Sequence, residues 1–138
     1  MRFMVIVKAN QDTEAGKLPD RQLLTEMGKY NEELAKAGAF LAGEGLQPSS
    51  KGARIRYSGS QRTVNKGPFP EANHLVAGFW LIQAKSLDEA IEMIKRAPFR
   101  EGEVEIRQVH EAEDFGAELT PELKEQEERI RRQVAAKR

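Results

Sequence analysis

The chain has 138 residues, 39% hydrophobic and 32% charged, with 22 Lys and Arg balanced by 22 Asp and Glu. That length suits one domain with a modest core, and zero net charge argues against a general nucleic-acid or anionic-membrane binder, whose affinity rests on basic excess. The absence of cysteine excludes disulfides, thiolate metal sites and a cysteine nucleophile. No apolar run approaches the roughly 20 residues of a membrane span, and the apolar start is too short for a signal peptide. A soluble cytoplasmic protein with neither nucleic-acid nor membrane partners is expected.

Residues 3–7, Phe-Met-Val-Ile-Val, are continuously apolar, which fits a central strand covered on both faces. Asn10 to Leu18 is polar, contains Gly16 and reads as a loop. Asp20 can cap a helix over about 21–37 whose stripe is Leu23, Leu24, Met27, Leu34 and Ala37, with Gly38 as the stop. A second strand over Ala39–Ala42 ends at Gly43-Glu44-Gly45, and Pro48–Gly52 is a loop. Ala53–Tyr57 and Arg62–Val64 flank Ser58-Gly59-Ser60-Gln61 as a hairpin, whose Arg54, Arg56 and Arg62 discourage strand addition at its edge.

Lys66-Gly67-Pro68-Phe69-Pro70 cannot be regular structure, because two prolines remove donors and fix φ. Leu75–Ala84 is the second strongly apolar strand. Ser86-Leu87-Asp88-Glu89 is a capping box opening a helix that ends before Pro98. Glu103–Arg107 alternates with period two, a strand with one dry face. The order β-α-β, hairpin insert, β-α-β predicts a ferredoxin-like α+β sandwich, with both helices on one face of an antiparallel sheet. The uncovered face then needs a partner, and a homodimer is the simplest one. Residues 116–138 form a separate charged helix, with Thr120 as cap, Pro121 at its first position and Glu-to-Arg pairs four apart, after a domain spanning 1–115.

Several stretches in order along the chain resemble the YCII-related family, in particular its DGPF-type branch. They are the opening Arg2–Lys8, Leu41-Ala42-Gly43-Glu44-Gly45-Leu46, Thr63–Phe69, Ala77-Gly78-Phe79-Trp80, Leu87-Asp88-Glu89-Ala90 and Val104–Val109. The resemblance extends through Glu111–Gly116 into the charged tail and so covers essentially the whole chain. It implies a dimeric α+β barrel in which two sandwiches join through their sheets. Some relatives act as dehydrochlorinase-type enzymes on chlorinated or hydroxylated aromatic rings, and an association with sigma factors points to regulation. Three positions depart from the family pattern. Lys66 replaces the Asp that names the motif, Asn73-His74 replaces a charged pair, and Met27 stands where many relatives carry a helix histidine.

The loop 65–74 draws the most chemical attention. Pro68 and Pro70 stiffen it, Phe69 anchors it, and Lys66, Glu71 and His74 supply groups of different pKa. Histidine is the natural proton carrier near neutral pH, so His74 facing a pocket walled by Phe69 and Trp80 would abstract a proton from a phenol or carbon acid. Lys66, or Lys8 at the end of the first strand, would stabilise the oxyanion. Glu44, flanked by glycines, and Lys8 are candidate pocket-rim residues. Each has a plainer alternative: a surface histidine, a core-plugging Phe69, a core or interface Trp80 and a surface ion pair. His74 and His110 lie 36 positions apart with no ligand spacing between them, and no phosphate loop is present, so neither metal nor cofactor is expected. Two functions follow: a non-catalytic, ligand-binding or regulatory dimer, or a cofactor-free dehydrochlorinase- or isomerase-like enzyme working on a small aromatic or keto acid through His74.

Overall fold

The apolar opening run becomes Arg2–Lys8 (β1), and the second apolar run becomes Val76–Gln83 (β5), three strands later. Between them lie Gln11–Glu14 (α1), Arg21–Lys36 (α2), Phe40–Gly45 (β2), Ala53–Ser58 (β3) and Gln61–Lys66 (β4). Leu87–Lys95 (α3), Val104–Gln108 (β6) and Pro121–Ala136 (α4) follow. The computed structural model describes residues 1–137. Two units divide between Gln108 and Val109.

In the first unit a four-stranded antiparallel sheet has the order β2-β5-β1-β6, so the two apolar runs occupy its centre. Each β-α-β half skips one strand, which makes this the ferredoxin-like α+β arrangement expected from the element order. Phe3 pairs with Ile82 and Val5 with both Trp80 and Ile106, so these side chains share one sheet face. Tyr30 and Leu34 of α2 and Ala90 and Ile94 of α3 complete the core with them. Phe3, Val5 and Ile82 are essentially inaccessible, and each such burial contributes about 1.5–3 kcal/mol. The opposite face carries Met4, Ile6, Phe79 and Leu81, all half-buried, with Glu44, Lys8 and Glu105 at its margins.

The predicted caps form. Asp20 accepts from the Leu23 amide at 2.8 Å, and Ser86 accepts from the Glu89 amide at 3.1 Å. Three local expectations are corrected. Lys66, read as irregular together with the prolines that follow it, is the last residue of β4 and pairs with Ala53. The segment read as a loop after β1 contains α1, because Asn10 and Thr13 cap each other reciprocally: the Thr13 amide donates to Asn10 Oδ1 and the Asn10 amide to Thr13 Oγ1, both at 2.9 Å. The second strand does not stop at Ala42 but runs to Gly45, since Gly43 faces Trp80 at a distance where a Cβ would sit 2.8 Å from the indole. In the second unit, Thr120 caps α4 through the Leu123 amide at 3.2 Å, with Pro121 at its first turn. Among the described residues no helix is long and apolar enough to cross a membrane.

Tyr30 makes the fold pH-dependent. Its hydroxyl donates to the Met93 carbonyl at 2.6 Å, tying α2 to α3. Burial pushes its pKa up from 10.0 to about 12, with Arg96 opposing and Glu33 adding to the rise. The unfolded chain ionises at the lower value, so this contribution is complete below pH 10.0 and is lost as pH climbs towards about 12. Urea unfolding at stepped alkaline pH is expected to show that decline in the wild type and a smaller one in Tyr30→Phe. Equal declines would assign the loss to other groups.

Candidate functional site

One end of the sheet gathers the segments that follow β1 and β2 and the segment that leads into β5. Two backbone bonds stitch them, the Ala9 amide to the Leu75 carbonyl at 3.0 Å and Leu46 to Ala77 at 2.8 Å, and a third ties Lys8 to Glu103, just before β6, at 3.1 Å. Over this end lies the irregular stretch after β4. Pro68 and Pro70 lack amide donors, so the stretch is held from outside, and the Phe69 amide finds its acceptor in Ser49. The Ser49 amide donates to Glu14 Oε1 at 2.9 Å, its hydroxyl donates to Glu14 Oε2, and that same hydroxyl oxygen accepts from the Phe69 amide at 3.0 Å. One hydroxyl thus links α1, the 3-10 turn Ser49–Lys51 and the Phe69 loop.

Close packing reinforces the link. The Gly67 amide donates to the Gly52 carbonyl at 3.0 Å, and a Cβ on Gly67 would fall 1.8 Å from the Ser49 carbonyl oxygen. The peptide bond Gly67–Pro68 is cis. The Arg54 guanidinium sits 4.0 Å above the Phe69 ring, a cation–π contact that anchors the half-buried ring against the hairpin.

Further along, Glu71 adopts φ 61° and ψ 65°, a left-handed conformation uncommon for a residue with a side chain. The turn it opens, Ala72–His74, brings His74 Nδ1 to 2.7 Å from Glu71 Oε2. Both side chains remain about two-thirds exposed, 67% and 66%. A carboxylate on Nδ1 directs the other ring nitrogen, Nε2, towards solvent, the arrangement that orients an imidazole for proton transfer.

Lys66 is exposed at the end of β4, Phe69 is half-buried under Arg54, and His74 is exposed beside Glu71. Lys8 stands at the same end of the sheet, in an ion pair with Glu105 at 3.3 Å, and its side chain is only 23% exposed. Glu44 is exposed on β2 opposite Phe79. Trp80 points to the helix-covered face, 5% exposed, where its indole N–H donates to Asn31 Oδ1 at 2.9 Å. Sequence reasoning did not find Glu14, Ser49 or Asn31. The Asn10-x-x-Thr13 spacing could have revealed α1 and so placed Glu14, but nothing local marks Ser49 as its partner.

A concavity of about 510 Å³ lies between α3 and β6, and no residue of the loop 65–74 lines it. Leu87, Ile91, Phe99, Val104 and Ile106 line it, with Lys95 as its charged member. Among the described residues no group of three or more His, Asp or Glu converges as a metal site.

The family model described as "YCII-related domain" matches residues 1–113. A relative, "Uncharacterized protein R00369" of Rhizobium meliloti (strain 1021), is 29% identical over 79 residues, which make up 57% of this chain. The match spans 64% of that relative, less than two-thirds of its length. Among solved structures, 5-chloro-2-hydroxyhydroquinone dehydrochlorinase (TftG) from Burkholderia phenoliruptrix AC1100, in complex with 2,5-dihydroxybenzoquinone, aligns with 17% identity and a TM-score of 0.42. That alignment covers 80% of this chain and 96% of TftG. With 113 of its 138 residues matched in a single stretch, the chain belongs to the YCII-related domain family.

Proposed function

We propose that this protein acts as a homodimer that binds a small aromatic or keto acid at the end of the sheet marked by Lys66, Phe69 and His74. The observation that carries the dimer is the row of Met4, Ile6, Phe79 and Leu81 on the face turned away from α2 and α3. An apolar sheet face of this kind is stabilised by cover, at about 25 cal/mol per Å² removed from water. A second copy presents the same patch, so a two-fold pairing covers both at once. Support for the ligand comes from the loop itself, where a stiff, externally braced segment combines an apolar ring with an ammonium and an imidazole. Lys8 and Glu44 are the rim residues of this reading. The DGPF-type resemblance agrees with it.

The Glu71–His74 contact favours a second reading, in which the same site performs acid–base chemistry. His74 would take a proton at Nε2 while Glu71 holds Nδ1, and Lys66 or Lys8 would balance the oxyanion. No cofactor is called on in this scheme.

One experiment addresses both. Sedimentation at micromolar concentration is expected to give twice the 15.6 kDa chain mass, and a single-chain species throughout would overturn the dimer. In parallel, phenols, catechols, aromatic acids and small keto acids are screened by thermal shift. A ligand at 100 times its dissociation constant adds about 2.7 kcal/mol. A hit lost in Phe69→Ala supports the binding site. A hit that is consumed by the wild type but only bound by His74→Ala supports the enzyme, and no hit across the panel would overturn the small-molecule reading.

A further inference from the structure

Between Glu44 and Glu71 the chain has no carboxylate, yet it carries Lys51, Arg54, Arg56, Arg62 and Lys66. A protein of zero net charge is therefore divided into a segment with five excess cations and a remainder with five excess anions. The basic segment is the β3–β4 hairpin and its base. Every residue of both strands is exposed.

The register sorts these residues onto two faces. Ile55 pairs with Val64 and Tyr57 with Arg62, while Arg54 and Arg56 pair with Asn65 and Thr63. The first face is thus an apolar patch bounded by two cations, Arg62, whose guanidinium stacks 4.7 Å over the Tyr57 ring, and Lys66, which pairs with Ala53. Ile55, Tyr57 and Val64 are 51%, 68% and 58% exposed. A lone two-stranded hairpin is at best marginally stable in water, and β-branched and aromatic side chains are placed on such a ribbon to be packed against something.

We infer that the hairpin is an arm that closes on a second copy of this chain, laying Ile55, Tyr57 and Val64 against it while Arg62 and Lys66, on the same face, meet its carboxylates. The inference rests on the dimer proposed above and assigns the hairpin's role in it. A second copy fits better than a nucleic acid for two reasons. An aliphatic face needs an apolar cover, which a phosphate backbone does not offer, and the rest of this chain holds five more carboxylates than cations. Two-fold pairing makes the exchange twice, so each arm gains cover and its cations gain counter-charge.

The test uses the full chain. The double variant I55K/V64K alters only exposed positions, so the protomer folds, and its dimer dissociation constant is expected to rise about 30-fold or more. Lys66→Glu, on the same face, tests charge: its dimer weakens, and raising salt from about 0.05 M to about 0.5 M weakens the wild-type dimer. Hydrogen exchange at residues 53–66 is expected to slow as protein concentration carries the wild type from monomer to dimer. A dimer of unchanged affinity in both variants, with hairpin exchange independent of concentration, would overturn the arm and leave the dimer standing. A wild type that stays monomeric overturns both. Tight binding of a short DNA duplex that Lys66→Glu abolishes, without any effect on dimerisation, would give the arm to nucleic acid and overturn this assignment.

Discussion

Trp80→Ala is expected to cost about 3–5 kcal/mol of folding stability, out of a total for such a domain of about 5–15 kcal/mol. Trp80 sits on a central strand, 5% exposed, with Val5 beside it in register. Its ring meets Tyr30 edge-on at a centroid distance of 5.7 Å and Phe99 at 5.9 Å. Truncation therefore opens a cavity under both long helices of the first unit and removes two aromatic contacts. It also strips the Asn31 amide oxygen of the indole donor it holds at 2.9 Å. Trp80→Phe keeps most of the volume and loses chiefly that hydrogen bond, for about 1–2 kcal/mol. Urea unfolding followed by far-ultraviolet circular dichroism separates the two, since the variants lack the only tryptophan. A loss below about 1 kcal/mol in Trp80→Ala would show that the side chain does not hold the core together.

Gly67→Ala is expected to cost about 3 kcal/mol and to free the loop 66–75 while the sheet persists. The new methyl would lie 1.8 Å from the Ser49 carbonyl oxygen and 2.6 Å from its carbon. Those are backbone atoms, so no rotamer change relieves the overlap. The loop and the Ser49 turn must part, which breaks the Gly67–Gly52 bond and withdraws the Phe69 amide from the Ser49 hydroxyl. Protease cleavage within 66–75, with the circular dichroism spectrum retained, is the expected signature. Any ligand found in the thermal-shift screen should lose affinity in this variant, because Phe69 is no longer seated. A protease-resistant Gly67→Ala with wild-type melting would mean that the loop is not braced through Ser49.

These two positions also separate what local sequence reveals from what it conceals. The apolar run Phe3–Val7, the Asp20 and Ser86 caps, and the alternation Val104-Glu105-Ile106 are signals carried within a few residues of one another. Strand centrality, helix starts and the edge strand follow from them without knowledge of any partner. Even the side of the sheet that α2 and α3 cover follows from the element order, because each crossover must pack back on the same face. The braces of the site are different. Glu14 and Ser49 are 35 positions apart, Ser49 and Phe69 are 20 apart, and Asn31 and Trp80 are 49 apart. Each residue alone reads as an ordinary polar or core side chain.

By itself the sequence determined the α+β order, the two buried strands, the capped helices, the proline-stiffened loop with its histidine and the concentration of cations between Glu44 and Glu71. These are properties of periodicity, backbone restriction and charge, which act over short chain distances. Only the tertiary structure decided that Trp80 turns inward to Asn31, that Glu14 braces the loop through Ser49 and that Glu71 takes the His74 imidazole. A hydrogen bond between distant residues depends on how strands register and how loops close over them, and that geometry exists only once the sheet has formed.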